Sequence, residues 1–246
     1  MPRADPRRPP PSPRARGEGR GERSPVPRLD PRRRIVSALF GLLYRNRLLY
    51  WLASTIPFAG QWRVWQRLAL AHLTGPDVLE AGCGPGKLLA DLVAAGYACA
   101  AVDRSPQMLA AARAELRRRG FAAAATPILL ASVQQLPFPD ASFDDVVSTF
   151  PTDYIADPHA LREIARVLRP GGRLIVVLGA ELLPTTPLLW PSVGVQRLVY
   201  GRHSGVTCAS GAATAMPCAQ AGLTGRDVCV RGSFWLAHLV IAQRTG

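Results

Sequence analysis

Three glycines at alternate positions, Gly82, Gly84 and Gly86, follow the short apolar run Val78-Leu79 and precede Lys87-Leu88-Leu89. An apolar run, a glycine turn and a helix start in that order read as a buried parallel strand that delivers the chain to a helix N-terminus. Without a Cβ the backbone can pass close to a ligand, and the free N–H groups of the first helical turn favour an anionic part of it. A nucleotide-type ligand is the chemistry implied, although turns also collect glycine for structural reasons. Glu80, two residues ahead of Gly82, adds a carboxylate at the strand end and suits a ligand that carries an ammonium group. Residues 98 to 102 (ACAAV) read as a second strand ending in Asp103. That places an acid about 20 residues beyond the glycines, where doubly wound folds set a carboxylate against ribose hydroxyls.

The elements that must hold these groups follow from periodicity and capping. A helix over residues 64 to 73 leads into the first strand, and a helix over 88 to 95 stops at Gly96. Ser105-Pro106 is an N-cap and first-turn pair for a helix through Arg119 with Gly120 as its stop; Leu109 and Leu116 face the sheet, while Arg113 and the run Arg117, Arg118, Arg119 point outward as a solvated helix end. Residues 127 to 131 form a third strand and 143 to 149 a fourth, whose exit at Phe150 lies where parallel strands present ligands. Asp157-Pro158 caps a helix with the buried stripe Leu161, Ile164, Leu168. Gly171-Gly172 then turns into a fifth strand over 173 to 178. A weak helix is expected over 211 to 222, interrupted by Pro217, before closing strands at 226 to 230 and 235 to 243.

Taken together, these residues resemble the class I S-adenosylmethionine-dependent methyltransferases. LEAGCGPGKLL is similar to their first motif, AVDRSPQML to their second, SVQQLPFPDASFDDVVSTF to their third and fourth, and EIARVLRPGGRLIVV to their fifth-strand segment. LPFPDASFD followed by RVLRPGG most resembles the small-molecule branch typified by quinone-biosynthesis C-methyltransferases and methyltransferase-11-type domains. The resemblance implies an α/β, Rossmann-like, doubly wound and mostly parallel seven-stranded sheet with an antiparallel last strand and N-terminal cap helices. S-adenosyl-L-methionine is the implied cofactor and a small molecule the methyl acceptor. The implied cofactor set is Glu80, Gly82, Cys83, Gly84, Gly86, Asp103, Arg104, Met108, Ser132, Val133 and Phe150. In it Glu80 lies near the methionine amino group, Asp103 takes the ribose hydroxyls, Arg104 and Met108 flank the adenine, and Phe150 borders the methyl site. Val133 offers its N–H to the adenine ring, and Leu136, Pro137 and Phe138 wall it. Ser132 stands where similar enzymes carry an acid for the adenine amino group, which replaces a charge-assisted hydrogen bond by a neutral one. No catalytic base is assigned among His159, Tyr154, Asp153 and His203, and no metal site is expected.

A chain of 246 residues, 48% hydrophobic, can bury one full α/β core. The formal charge of +13 is uneven: residues 1 to 34 hold eleven arginines against four acids, a net +7, and Lys87 is the single lysine of the chain. Residues 1 to 33 are too poor in apolar side chains to offset their ordering entropy and are expected to be a disordered arginine- and proline-rich tail. Nucleic-acid binding is not expected of the folded part, residues 34 to 246, which divides into cap helices (34 to 74), a cofactor-binding core (75 to 178) and a substrate-side segment with closing strands (179 to 246). The apolar stretch 35 to 66 reads as a pocket roof; plain packing, or weak contact with a membrane surface through Tyr44, Tyr50 and Trp51, are its other readings. Five cysteines without a CxxC pair indicate neither a disulfide framework nor structural zinc, so a reducing cytoplasm is expected. Two further readings compete: an S-adenosylmethionine-binding protein without catalysis, and an NAD-dependent reductase, against which the GxGxG spacing and Glu80 both speak. Oligomeric state has no sequence signal here.

Overall fold

The computed structural model describes residues 58 to 245 apart from 59, 123, 152 and 195 to 215. The expected tail, most of the cap segment and the first part of the weak 211 to 222 helix lie outside these residues.

The chain enters through α1 (Trp62–Arg67) and a 3-10 turn (Leu68–His72), then alternates strands and helices: β1 (Asp77–Ala81), α2 (Lys87–Ala94), β2 (Ala98–Asp103), α3 (Pro106–Arg118), β3 (Ile128–Leu130) and β4 (Phe143–Thr149). A 3-10 turn (Asp153–Ala156), α4 (Pro158–Val167), β5 (Leu168–Leu182), β6 (Leu223–Arg231) and β7 (Trp235–Arg244) complete it. The strands form one seven-stranded sheet in the order β3-β2-β1-β4-β5-β7-β6, parallel from β3 to β5 and antiparallel on both sides of β7. Strand order reverses between β1 and β4, and in such sheets ligands gather outside the strand ends at that reversal.

Because helices cover both faces, the central strands are apolar throughout rather than alternating. Val78, Leu79, Ala100, Ala101, Val102, Val146 and Val147 are all fully buried. One core cluster packs α4 against Leu79, Ala81, Val146 and Val176; the other packs α1, α2 and α3 against Val78, Ala101, Val147 and Ile175. Capping follows the sequence. Ser105 Oγ accepts from Met108 N–H with Pro106 in the first turn of α3, and the Asp157 carboxylate accepts from His159 N–H at the start of α4.

Four expectations change. The arginine run at the end of α3 is not simply solvated: Arg119 reaches Asp91 (2.6 Å) and Glu115 (3.1 Å), Arg118 reaches Glu115 (2.7 Å), and Arg113 donates to the Ile128 carbonyl. The fifth strand runs past residue 178, because Gly179–Leu182 continues the antiparallel ladder with Trp235–His238 while Ala180 and Leu182 stay buried. Residues 216 to 222 hold only a 3-10 turn, Ala219–Ala221, closed by Gly222. Cys229 is disulfide-bonded, which its exposed place on the outer strand β6 allows; Cys83, Cys99 and Cys218 are buried thiols outside any disulfide.

Asp91 of α2 is the centre of an ion cluster that binds α1, α2 and α3 to one another. Its carboxylate receives Arg63 (2.7 Å), Arg67 (2.8 Å) and Arg119 (2.6 Å) and is itself only 7% exposed. Burial raises its pKa, but the hydrogen bonds from Arg67 and Arg119 and the charge of Arg63 outweigh that and hold it at about 2. Glu115 is likewise held at about 2, first by its hydrogen bond to Arg118. Asp91→Ala is expected to cost about 2 kcal/mol, roughly 4–8 °C in Tm, since three guanidinium groups lose their common partner. Both carboxylates are depressed, so their stabilisation is complete above the unfolded carboxylate range near pH 4 and fades as pH falls toward 2. Acid titration of wild type and Asp91→Ala followed by circular dichroism checks this: the stability gap between them closes on acidification.

Candidate functional site

At the carboxyl ends of β1 and β2 the glycine turn and Asp103 come together. Asp103 Oδ2 accepts from Gly84 N–H (2.9 Å), and Oδ1 accepts from Ser105 N–H (2.8 Å). One carboxylate thus joins the glycine turn to the start of α3, by charge-assisted bonds to backbone. The turn is also tied to β2 through Gly82 and Cys83, whose N–H groups both donate to the Val102 carbonyl (2.9 and 3.0 Å).

The three glycines have three different surroundings. All have positive φ: +77° at Gly82, +51° at Gly84 and +72° at Gly86. A Cβ on Gly82 would stand 2.6 Å from the Tyr154 hydroxyl, and one on Gly86 would stand 2.6 Å from the backbone of Ala112 in α3. A Cβ on Gly84 would meet nothing within 4 Å among the described residues. Among the described residues, therefore, unfilled space lies at Gly84, whereas Gly86 makes room for α3 and Gly82 for the Tyr154 side chain.

Glu80 is 2% exposed. Its carboxylate takes the Leu89 N–H in the first turn of α2, and its Oε2 has no partner among the described residues. Burial, followed by the negative charge of Asp103, pushes its pKa well above the usual carboxylate range. A cationic group set against Oε2 would offset both effects, so the orphaned oxygen fits the ammonium end of an amino-acid moiety. Cys83 is buried beside it with its thiol pushed up by the same burial, which leaves it a packing residue rather than a nucleophile.

The remaining expected residues are spread along the same edge. Arg104 is exposed and Met108 buried at the start of α3. Ser132 is exposed, and its hydroxyl is hydrogen-bonded to the Gln134 side chain, which in turn donates to Asp157 (3.0 Å). Val133 is buried. The expected adenine wall differs: Leu136 and Phe138 are each 4% exposed and belong to the core, Phe138 edge-on to Phe143 at 5.0 Å. An aromatic ring following a loop proline was free to turn either way; the space over β4 drew this one inward.

Phe150 caps the exit of β4 with φ +50°, a conformation a bulky residue adopts only under constraint. Its N–H donates to the Val177 carbonyl (2.8 Å), and its ring stacks on Trp62 of α1 at 3.9 Å and 23°. Trp65, fully buried, packs edge-on to Phe58 and Trp235 nearby. Arg63 Nη1, Trp65 Nε1 and Gln66 Oε1 are buried without partners among the described residues, all on α1. The sequence alone reads this stretch as a roof, as plain packing or as a weak membrane contact; the signal for a wall is the spacing of Trp62, Trp65 and Gln66 on one helical face. Ser148 and Tyr154 were also missed as a pair. They are six residues apart, and only the turn at Asp153–Ala156 brings their hydroxyls to 2.7 Å. His159 is exposed; the Asp153 side chain and His203 lie outside the described residues.

Comparison with known proteins agrees with this geometry. A family model described as a methyltransferase domain matches residues 79 to 176. Demethylmenaquinone methyltransferase of Mycobacterium sp. (strain JLS) is 36% identical over 152 residues, covering 60% of this chain and 61% of that protein. The enzyme of the same name from Mycolicibacterium paratuberculosis (strain ATCC BAA-968 / K-10) is 37% identical over the same length and coverage. The chain thus spans about three fifths of the curated relatives it matches. Among solved structures, geranyl diphosphate C-methyltransferase from Streptomyces coelicolor A3(2) shares the fold at TM-score 0.53, with 16% identity, 74% of this chain and 79% of that one covered. The YcgJ protein of Bacillus subtilis does so at 0.52, with 19% identity, 75% and 99% covered. In strand order, in the glycine turn bound to Asp103 and over residues 79 to 176, the chain is similar to the methyltransferase domain that this family model describes.

Proposed function

We propose that this protein transfers a methyl group from S-adenosyl-L-methionine to a small apolar or aromatic molecule. The observation that carries the reading is the open approach at Gly84, flanked by the Asp103 carboxylate and the unpaired Oε2 of Glu80. In this reading Asp103 keeps lone pairs for the ribose hydroxyls beyond the two N–H groups it already accepts, and Glu80 meets the amino group. Gly82, Cys83 and Gly86 shape the turn, Arg104 and Met108 flank the adenine, and the Ser132 hydroxyl with the Val133 N–H addresses its edge.

When bound, the cofactor supplies an electrophilic methyl on a sulfonium. The chain's own part is to hold an acceptor in line and to exclude water, which accounts for much of the rate gain in such transfers. The Trp62–Phe150 stack at the exit of β4 is a flat apolar wall suited to a planar ring. Relatives named demethylmenaquinone methyltransferase support a quinol-like acceptor. Non-catalytic binding of the cofactor is the second reading, motivated by Ser132 in place of an acid and by the absence of an assigned base.

Calorimetry with S-adenosylhomocysteine separates the roles of the turn. Gly84→Ala is expected to fold, at a cost of about 1 kcal/mol for an alanine held at positive φ, and to lose about tenfold or more in affinity, because its methyl enters the ligand's space. Gly86→Ala, facing the Ala112 backbone, is expected to lose about 2 kcal/mol of stability instead. The Glu80 carboxyl holds its proton to a higher pH than usual and a cation favours the ionised form, so wild-type affinity rises with pH while Glu80→Gln flattens the dependence. Formation of S-adenosylhomocysteine with a panel of quinols, phenols and fatty acids tests catalysis: turnover with a planar quinol supports transfer, and binding without turnover across the panel favours the second reading.

A further inference from the structure

Tyr154 enters the site from the segment after β4, and its hydroxyl stands where that segment meets the glycine turn. It lies 2.7 Å from Ser148 Oγ and 3.1 Å from the Ala81 carbonyl, against the face of Gly82 that a Cβ would fill. Ser148 Oγ lies 2.9 Å from the same carbonyl. The β1–β4 ladder ends at Glu80↔Val147, so the carbonyl of buried Ala81 lies just past it. The two hydroxyls supply the donors it needs there. Three oxygen contacts share two hydroxyl hydrogens, so at most two are hydrogen bonds at any moment. Tyr154 can donate to Ser148 and Ser148 to the carbonyl, Ser148 to Tyr154 and Tyr154 to the carbonyl, or both to the carbonyl. In each arrangement the tyrosine is fastened, directly or through Ser148, to the base of the turn that begins at Gly82.

The two hydroxyls differ in what they carry. Ser148 belongs to β4 and is held in the sheet by its pairing with Val176 of β5. Tyr154 belongs to the 3-10 turn Asp153–Ala156, on the same chain segment as Phe150. We infer that Tyr154 is a positioning residue that ties the acceptor-side segment 150 to 156 to the cofactor turn, so that ordering the turn also orders the segment. The inference rests on the proposed cofactor reading and extends it: it assigns a coupling between two subsites, and such coupling is reciprocal, so an acceptor seated against Phe150 would tighten cofactor binding as well.

Hydrogen exchange on the full chain, with and without S-adenosylhomocysteine, reads the coupling without needing the acceptor. In wild type the ligand is expected to slow exchange in residues 82 to 86 and also in 153 to 157. In Tyr154→Phe the first protection stays, the second falls by about fivefold or more, and the calorimetric Kd rises about threefold to tenfold. Ser148→Ala keeps the second protection, because the tyrosine still reaches the Ala81 carbonyl. Equal protection of 153 to 157 in wild type and Tyr154→Phe overturns the inference, as does its loss in Ser148→Ala. Should Tyr154→Phe fail to fold, wild type still decides, since protection confined to 82 to 86 contradicts the coupling. A wild type that binds no S-adenosylhomocysteine instead overturns the cofactor reading on which this one stands.

Discussion

Two backbone N–H groups, from Gly84 and Ser105, end on the two oxygens of one carboxylate, Asp103. The rest of the site depends on this interaction, because it fixes the glycine turn after β1 relative to the end of β2 and the start of α3. The N–H of Gly84 reaches the carboxylate only because the turn runs through positive φ, and φ of +51° is cheap for glycine alone. Parallel pairing of β1 with β2 from Asp77↔Ala98 to Ala81↔Val102 sets the height at which turn and acid meet. A ladder out of register by one residue would point Asp103 to the other face of the sheet.

Around this join the structure assigns each side of the turn a different neighbour. The α3 side is closed by Ala112 against Gly86 and the β4 side by Tyr154 against Gly82, and among the described residues nothing fills the space at Gly84. Beneath it Glu80 places a buried, half-satisfied carboxyl, an arrangement that costs free energy in the absence of a cationic partner. Beside it the strained backbone of Phe150 is held by its bond to β5 and by the ring of Trp62. Both features spend stability at one edge of the sheet, while the Asp91 cluster and the two continuous cores supply it elsewhere. Among the described residues no helix is long and apolar enough to cross a membrane.

The parts of this arrangement that depend on neighbours in sequence were legible in the chain. Strands β1, β2 and β4, the caps at Ser105 and Asp157, and the glycine turn each announce themselves within a few residues. What depends on distant partners was not. Arg119 reads as a solvated helix end until Asp91, 28 positions away, is seen beside it. Residues 179 to 182 read as the start of a substrate-side segment until β7 offers them a ladder. Phe138 reads as a pocket wall until Phe143 and the space over β4 claim its ring. Of the candidate site, the acids and glycines were readable from type and spacing. The division of labour among Gly82, Gly84 and Gly86 was not, since it is decided by Tyr154 and Ala112. The Trp62–Phe150 wall was equally hidden, because it needs α1 to cross the end of β4.

The central claim is that the ends of β1 and β2 form one receptor for the cofactor, with the diol at Asp103 and the amino group at Glu80. A crystal structure of the protein with S-adenosylhomocysteine tests it most directly. The account predicts ribose hydroxyls within hydrogen-bond distance of the Asp103 carboxylate, the ligand backbone crossing Gly84, and the amino group on the Glu80 side of the turn. A ligand bound elsewhere on the sheet, or one in this cleft with its sugar away from Asp103, would contradict it.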